Sequence, residues 1–334
     1  MNGSASDFAV SGNERAPRPM MIRFLRCSNI ALHDIRLCES AAWTTAFLDS
    51  SDISISRVSV RSVTNLNGDG FDFDGSHGIR VSDCTLNCSD DAICFQSGDY
   101  PTYDALVENC RISSLCCGVR VGMKSLSDIH DITVRNCVFD EVWREGLKIE
   151  STEGADIYDV TMSDCTMHDV RRPFWFLLNN DSVSIGSGVR PFGSLHDVTV
   201  SDINITCDEK MKQVQSYEFM GNICPMGFIG FDGSRIDASD KKKIENITFR
   251  NIDYTVYGAY HGDPPSPKTY PPVLDLYAGE NGESSSNYSP VYSRAVFFDI
   301  RNTQNLVMDN ITYRCLNSDV RPENIIEQYY HGQR

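Results

Sequence analysis

The stretch Asn67–Gln96 reads NGDGFDFDGSHGIRVSDCTLNCSDDAICFQ. Five of its six aspartates gather in two clusters, Asp69, Asp72 and Asp74, then Asp90 and Asp91. Apolar residues alternate beside them, as Phe71 and Phe73, then Ile93 and Phe95. Alternation of this kind marks a strand with one buried and one wet face. Each cluster is therefore expected on, or just before, a strand whose outer face is acidic. Carboxyl groups gathered on a rigid sheet are what general acid–base chemistry needs.

Between the clusters lies Ile79-Val81-Asp83-Cys84-Leu86, and this pattern recurs along the chain. It begins with Ile30-Leu32-Asp34-Ile35-Leu37 and ends with Leu306-Met308-Asn310-Ile311-Tyr313, nine copies in all. Its polar column is Asp34, Arg57, Asp83, Asn109, Asn136, Asp164, Asp202, Asn251 and Asn310, and Arg57 alone is neither Asp nor Asn. Successive steps are 23, 26, 26, 27 and 28 residues, then 38, 49 and 59. A unit of about two dozen residues made of strands and turns is one coil of a parallel β-helix. The Asp/Asn column marks a sharp turn, because these residues tolerate left-handed backbone and bond nearby amides. Cys84, Cys110, Cys137 and Cys165 then stack as small core residues. A leucine-rich repeat is the rival solenoid, but its LxxLxLxxN signature is absent and no helical period separates the strands. The expected fold is all-β, a single-stranded parallel β-helix of about nine or ten coils. It is expected over 18–317, after a polar extension over 1–17 that is short for a cap. Residues 318–334 are expected to form a C-terminal capping helix, since Pro322 can start one and Ile325, Ile326 and Tyr329 have helical spacing.

Composition narrows the function. The chain has 334 residues, 41% hydrophobic and 23% charged, enough for one large core. A net charge of −16 argues against nucleic acid or an anionic membrane surface as partner. No apolar run is long enough to span a membrane, and MNGSASDFAV lacks the basic and apolar regions of a signal peptide. A cytoplasmic location is expected on that reading, and a secreted or periplasmic one if the N-terminus is truncated. The 13 cysteines follow neither a small disulfide scaffold nor a CxxC zinc spacing. They are read as free thiols in a reducing compartment, with no metal and no cofactor expected. A homo-oligomer covering the first coil is a further expectation.

Each coil carries another strand upstream of the repeated pair: Gly70–Asp74, Ala92–Gln96, Gly118–Gly122, Gly146–Ser151 and Pro173–Leu177. If these align, rungs lie about 4.8 Å apart. One outward column is then Asp72, Cys94, Arg120 and Lys148, and the next is Asp74, Gln96, Gly122 and Glu150. Asp69, Asp91, Cys117 and Glu145 share the level just before the strands, with Asp90 beside them. A charge-rich row on one face of a solenoid is a groove for an extended ligand. Trp175 points outward by alternation, to stack on a sugar or to pack under a loop.

These residues resemble the polygalacturonase-like glycoside hydrolases, family 28, which are right-handed parallel β-helices. That family carries NTDG-D, DD, GHG and RIK on successive coils. This chain has NGDGFD at Asn67–Asp72, DD at Asp90–Asp91, CCG at Cys116–Gly118 and LKIE at Leu147–Glu150. The resemblance implies an inverting hydrolase acting on a pectin-like glycan. It makes Asp90 the general acid, and gives Asp69 and Asp91 the task of holding and activating water. Inversion uses carboxyl groups about 6.5–9.5 Å apart. Asn67, Asp72, Cys117, Arg120, Lys148, Glu150 and Trp175 are the expected substrate contacts.

Three departures bear on substrate. Cys117 stands where the family has histidine, Lys148 where it has arginine and Glu150 where it has lysine. An unscreened Glu150 about 5 Å from a sugar carboxylate would repel it by roughly 3 kcal/mol at an effective dielectric near 20. Plain polygalacturonate is then expected to bind poorly, unless Glu150 pairs with Lys148, Arg120 or Lys124. Three other readings stay open. Asp-rich turns of solenoids also bind Ca²⁺. A uronate lyase or epimerase would use Lys148 or Arg120 as base. A carbohydrate-binding solenoid with a decayed catalytic row would explain Cys117 and Glu150.

Overall fold

Three short strands and the turns between them make each coil. The computed structural model describes residues 18–178, 191–207, 226–229, 243–257, 298–301, 303–319 and 325–327. The first coil is β1 (Ile22–Leu25), β2 (Ser28–His33) and β3 (Arg36–Cys38). The second is β4 (Thr45–Leu48), β5 (Ser51–Ser56) and β6 (Ser59–Ser62). The third is β7 (Phe71–Asp74), β8 (His77–Ser82) and β9 (Thr85–Cys88), and the fourth β10 (Ile93–Ser97), β11 (Thr102–Glu108) and β12 (Arg111–Ser114). Next come β13 (Val119–Ser125), β14 (Ile129–Arg135), β15 (Val138–Ser151), β16 (Asp156–Leu178) and β17 (Ser194–Thr206). β15 runs around one corner and serves two faces, and β16 runs around two corners and serves three. The remaining strands are β18 (Met226–Ile229), β19 (Ile244–Val256), β20 (Phe298–Arg301), β21 (Thr303–Cys315) and β22 (Ile325–Glu327). Every strand pairs in parallel with its counterpart one coil away. The described chain is an all-β, right-handed parallel β-helix, the hand that parallel crossovers adopt almost without exception.

The turns explain why this sequence coils. All nine members of the polar column, Arg57 included at 52°, have left-handed backbone, with φ between 50° at Asn136 and 58° at Asp202. A second left-handed column lies five residues earlier: Asn29, Asp52, Gly78, Asp104, Asp131, Asp159, Asp197, Asn246 and Asn305. Asn, Asp and Gly fill it because their left-handed cost is lowest. The stacked side chains bond from coil to coil. Asn136 donates to Asn109 at 2.6 Å, Asn251 to Asp202 at 2.8 Å and Asn310 to Asn251 at 2.8 Å.

Inside, the alternating apolar residues form one continuous core. Phe24, Phe47, Phe73 and Phe95 stack with centroids 5.2, 5.0 and 5.4 Å apart, each pair adding about 0.5–1.5 kcal/mol beyond area burial. Cys84, Cys110, Cys137 and Cys165 are buried and free, as expected. Each thiol donates to the carbonyl two residues earlier, at 3.1–3.2 Å. A small side chain with a weak donor suits that corner better than a plain methyl. His77, Tyr103, His130, Tyr158 and His196 form an outer ladder of stacked rings.

The C-terminal expectation needs correcting where it can be seen. Ile325–Glu327 is not helical but a strand, β22, pairing in parallel with Asp299–Arg301. Pairing with β20 gives the backbone N–H and C=O groups of both strands partners, which a short isolated helix would not do. The rest of that segment, and the extension over 1–17, lie outside the described residues.

Candidate active site

The site stands on the face built by β4, β7, β10, β13 and the ends of β15 and β16. The register matches the expected columns: Asp72 against Cys94, Cys94 against Arg120, Arg120 against Lys148 and Lys148 against Trp175. Asp74 lies against Gln96, and Gly122 against Glu150. The backbone ladder also sets Asp69, Asp91, Cys117 and Glu145 at one level, since Gly70 N bonds Asp91 O, Ala92 N bonds Cys117 O and Gly118 N bonds Glu145 O.

This outer face is not wet, contrary to the expectation from alternation. Asp69, Asp72, Asp91, Cys117, Arg120, Glu145, Lys148, Glu150 and Trp175 are all buried, and Asp90 alone among the proposed catalytic residues is half-buried. Charges taken out of water must be compensated, and most of these are, in one run. Arg120 Nη1 donates to Asp91 Oδ2 at 2.9 Å and Arg120 Nη2 to Glu150 Oε2 at 2.9 Å. Lys148 Nζ lies 2.9 Å from Glu150 Oε1. Glu150 therefore sits between two cations, and the expected repulsion of a sugar carboxylate does not follow. The sequence places Lys148 two residues before Glu150 and Arg120 one rung away, but not their rotamers.

The neighbouring rung holds a second group. Glu145 pairs with Arg172 and lies 3.6 Å from Arg144 Nε, while the Cys117 thiol donates to Glu145 Oε2 at 3.1 Å. Burial pushes the Glu145 carboxyl up, but Arg172, Arg144 and Lys148 outweigh it and hold it well below the usual range. The Arg172 guanidinium lies 4.3 Å from the centre of the Trp175 ring. That face of Trp175 is thus taken by an arginine rather than open to a sugar. Arg144 and Arg172 escaped sequence reasoning, though Arg172 shares the level of Glu145 and was findable by extending the column.

One oxygen from each of Asp69, Asp90 and Asp91 lies within 4.8 Å of the others. This is tighter than the 6.5–9.5 Å taken from the resemblance, because the three carboxyls project from rungs only about 4.8 Å apart. Two carboxylate oxygens at such a separation can both bond one water at about 2.8 Å. The environments of the acids differ. Burial pushes Asp91 up, but the Arg120 charge and hydrogen bond, helped by Cys116 and Cys117, bring its carboxyl below the ordinary value. Burial and then the Asp91 charge raise Asp90. Burial and the neighbouring aspartates push Asp69 and Asp72 well up.

Asp90 is held by its neighbours. Asn67 Nδ2 donates to Asp90 Oδ2 at 3.1 Å and the Asp91 N–H to Asp90 Oδ1 at 3.1 Å. Asn67 is itself fixed by Arg18 Nη2, 2.7 Å from its Oδ1. Asn67 thus positions Asp90 rather than standing open as a substrate contact, and Arg18 is a support the sequence did not reveal. Neither Asp72 oxygen has a hydrogen-bond partner, nor has Asp69 Oδ1. Among the described residues two groups offer metal ligands: Asp69 with Asp90 and Asp91, and Asp91 with Cys116 and Cys117.

Comparison with known proteins adds an independent line. The model of glycosyl hydrolases family 28 matches residues 3–251. A probable polygalacturonase of Arabidopsis thaliana is 23% identical over 163 residues, covering 46% of this chain and 33% of that protein. The exopolygalacturonase of Thermotoga maritima superposes with a TM-score of 0.59 at 16% identity, over 74% of this chain and 52% of that one. The family 28 exopolygalacturonase of Yersinia enterocolitica gives 0.58 at 14% identity, over 88% of this chain and 43% of that one. The chain thus spans a third to a half of the length of these proteins, and the structural likeness speaks for the fold.

Proposed function

Because the chain belongs to glycosyl hydrolases family 28, we propose that it hydrolyses glycosidic bonds in a pectin-like polysaccharide or oligosaccharide by inverting general acid–base catalysis. The observation that carries the acid–base part of this reading is the aspartate trio, one oxygen of each within 4.8 Å of the others, whose environments push them apart in acidity; inversion rests on the family resemblance and not on that spacing. Such divergence assigns acid and base. Asp90, raised and reaching the surface, protonates the leaving glycosidic oxygen. Asp91, kept ionised by Arg120, takes the proton of the attacking water. Asp69 shares that water with Asp91. Both Asp91 oxygens are engaged, by Arg120 at 2.9 Å and by the Cys117 N–H at 3.3 Å, which suits an oriented base better than a covalent nucleophile.

The paired state of Glu150 bears on the substrate. Arg120 and Lys148 neutralise it, so an acidic sugar is not repelled there, and neither cation stands ready to bind a sugar carboxylate alone. Acidic and neutral pectic sugars are both substrates on this reading. The test is a panel of defined pectic oligosaccharides with detection of new reducing ends, and proton NMR of the first anomer released. Cleavage with inversion is expected. Retention would overturn the mechanism, and no turnover on any glycan would favour a binding solenoid.

A further inference from the structure

We infer that Cys116, Cys117 and Asp91 form a binding site for a zinc-like divalent cation, which locks the catalytic trio when occupied. The sequence shows adjacent cysteines but no CxxC spacing, so the site emerges only from the geometry. The two sulfurs lie 3.8 Å apart. Two thiolates at about 2.3 Å from a tetrahedral zinc stand about 3.8 Å apart, so the pair already has the required bite. A carboxylate oxygen of Asp91 lies within 4.8 Å of both sulfurs, and all three residues are buried.

A second observation lies beside this place. Asp69 Oδ1 is buried without a partner, and Asp69 offers an oxygen within 4.8 Å of those of Asp90 and Asp91. Asp69 belongs to that adjoining group rather than to the sulfurs, so the fourth position of the ion falls to a water. Two thiolates with carboxylates select zinc, cobalt or cadmium rather than calcium or magnesium, which take oxygen ligands. Arg120 Nη1, 2.9 Å from Asp91 Oδ2, keeps that ligand ionised, whereas burial leaves the two thiols protonated until an ion displaces their protons; Arg144 Nη1 is 3.6 Å from Cys116 Sγ. On binding, each thiol releases one proton to solvent and the ion sheds water as the metal–sulfur bonds form. No electron is transferred. The Cys117–Glu145 bond is given up, and Asp91 ceases to be available as a base.

Binding is independent of the hydrolase reading, whereas inhibition rests on it. The experiment therefore begins with the metal alone on the full chain. Titration with Co²⁺ is expected to give one ion per chain, a sulfur-to-cobalt charge-transfer band and the strong visible bands of tetrahedral cobalt. X-ray absorption on the zinc-loaded natural protein is expected to show two sulfurs at about 2.3 Å. Cys116→Ser and Cys117→Ser should each remove the charge-transfer band, while Cys27→Ser at a distant position should leave it. A first shell of oxygen and nitrogen only, or an unchanged band in Cys116→Ser, would overturn the site. If the protein turns over a glycan, zinc should lower the rate at least roughly a hundredfold, as loss of a general base does, and a chelator should restore it. Full activity in the zinc-loaded protein would overturn the lock.

Discussion

Replacing Arg120 by methionine tests the electrostatics on which the site stands. Arg120 is buried and holds Asp91 and Glu150 at 2.9 Å each. In Arg120→Met, Glu150 keeps Lys148, but Asp91 loses its cation among three other aspartates. Buried there, Asp91 becomes protonated at neutral pH. A carboxyl kept neutral at pH 7 costs about 4 kcal/mol against an unfolded pKa near 3.9, since each pH unit is worth about 1.4 kcal/mol. This agrees with the roughly 3–5 kcal/mol seen when one partner of a buried pair is removed. The sign follows from linkage. In the natural protein the lowered Asp91 contributes stability above about pH 4, which is lost as the pH falls through the folded value. The variant lacks that contribution. Its deficit should therefore be greatest at pH 7 and shrink by about 1.4 kcal/mol per pH unit towards pH 4. Urea denaturation of both proteins across that range measures it. In the active protein, the acidic limb of the pH–rate profile should also move upward. A deficit below about 1 kcal/mol, or one equal at pH 7 and pH 4, would refute the assignment of Asp91 as the ion held by Arg120.

Three further outcomes follow from the fold and the charge run. Cys110→Ala should cost about 1 kcal/mol in denaturation, because the free thiol fills an apolar corner and its bonds, to the Glu108 carbonyl among them, are weak; a disulfide among the four stacked cysteines in the natural protein would contradict this. Asn109→Gly should lose only the ladder bond from Asn136, about 1 kcal/mol, while Asn109→Val should cost about 1–2 kcal/mol more, since φ there is 56°, and equal losses would show that the turn does not select for left-handed backbone. Glu150→Lys, which restores the family residue, should destabilise by about 3–5 kcal/mol by setting a third cation against Arg120 and Lys148, and a stable variant that gains activity on oligogalacturonides would contradict the paired state of Glu150.

Much of the frame was legible because a stacked solenoid repeats its constraints. Parallel strands in constant register turn sequence offsets directly into columns, which is why Asp72, Cys94, Arg120 and Lys148 align as read. The second left-handed column, from Asn29 to Asn305, was equally readable, as an Asn, Asp or Gly five residues before each member of the first. Burial of the outer face was not legible, since strand alternation says which side a residue faces but not what covers that side. Pairing was not legible either. Glu150 has cations within reach on two rungs, and only rotamers decide that both are used. Ile325 and Ile326 fit helical and strand patterns alike, and pairing with β20 chose the strand.

On the proposed mechanism Asp90 delivers the proton to the glycosidic oxygen. The direct measurement is turnover of a folded Asp90→Asn variant on whichever pectic oligosaccharide the natural protein cleaves. Asparagine keeps the shape and can still accept one of the two hydrogen bonds that Asp90 receives, while removing the transferable proton. A loss of at least roughly a hundredfold in kcat is expected, with circular dichroism and denaturation midpoint unchanged. Near-normal turnover by that folded variant would contradict the account.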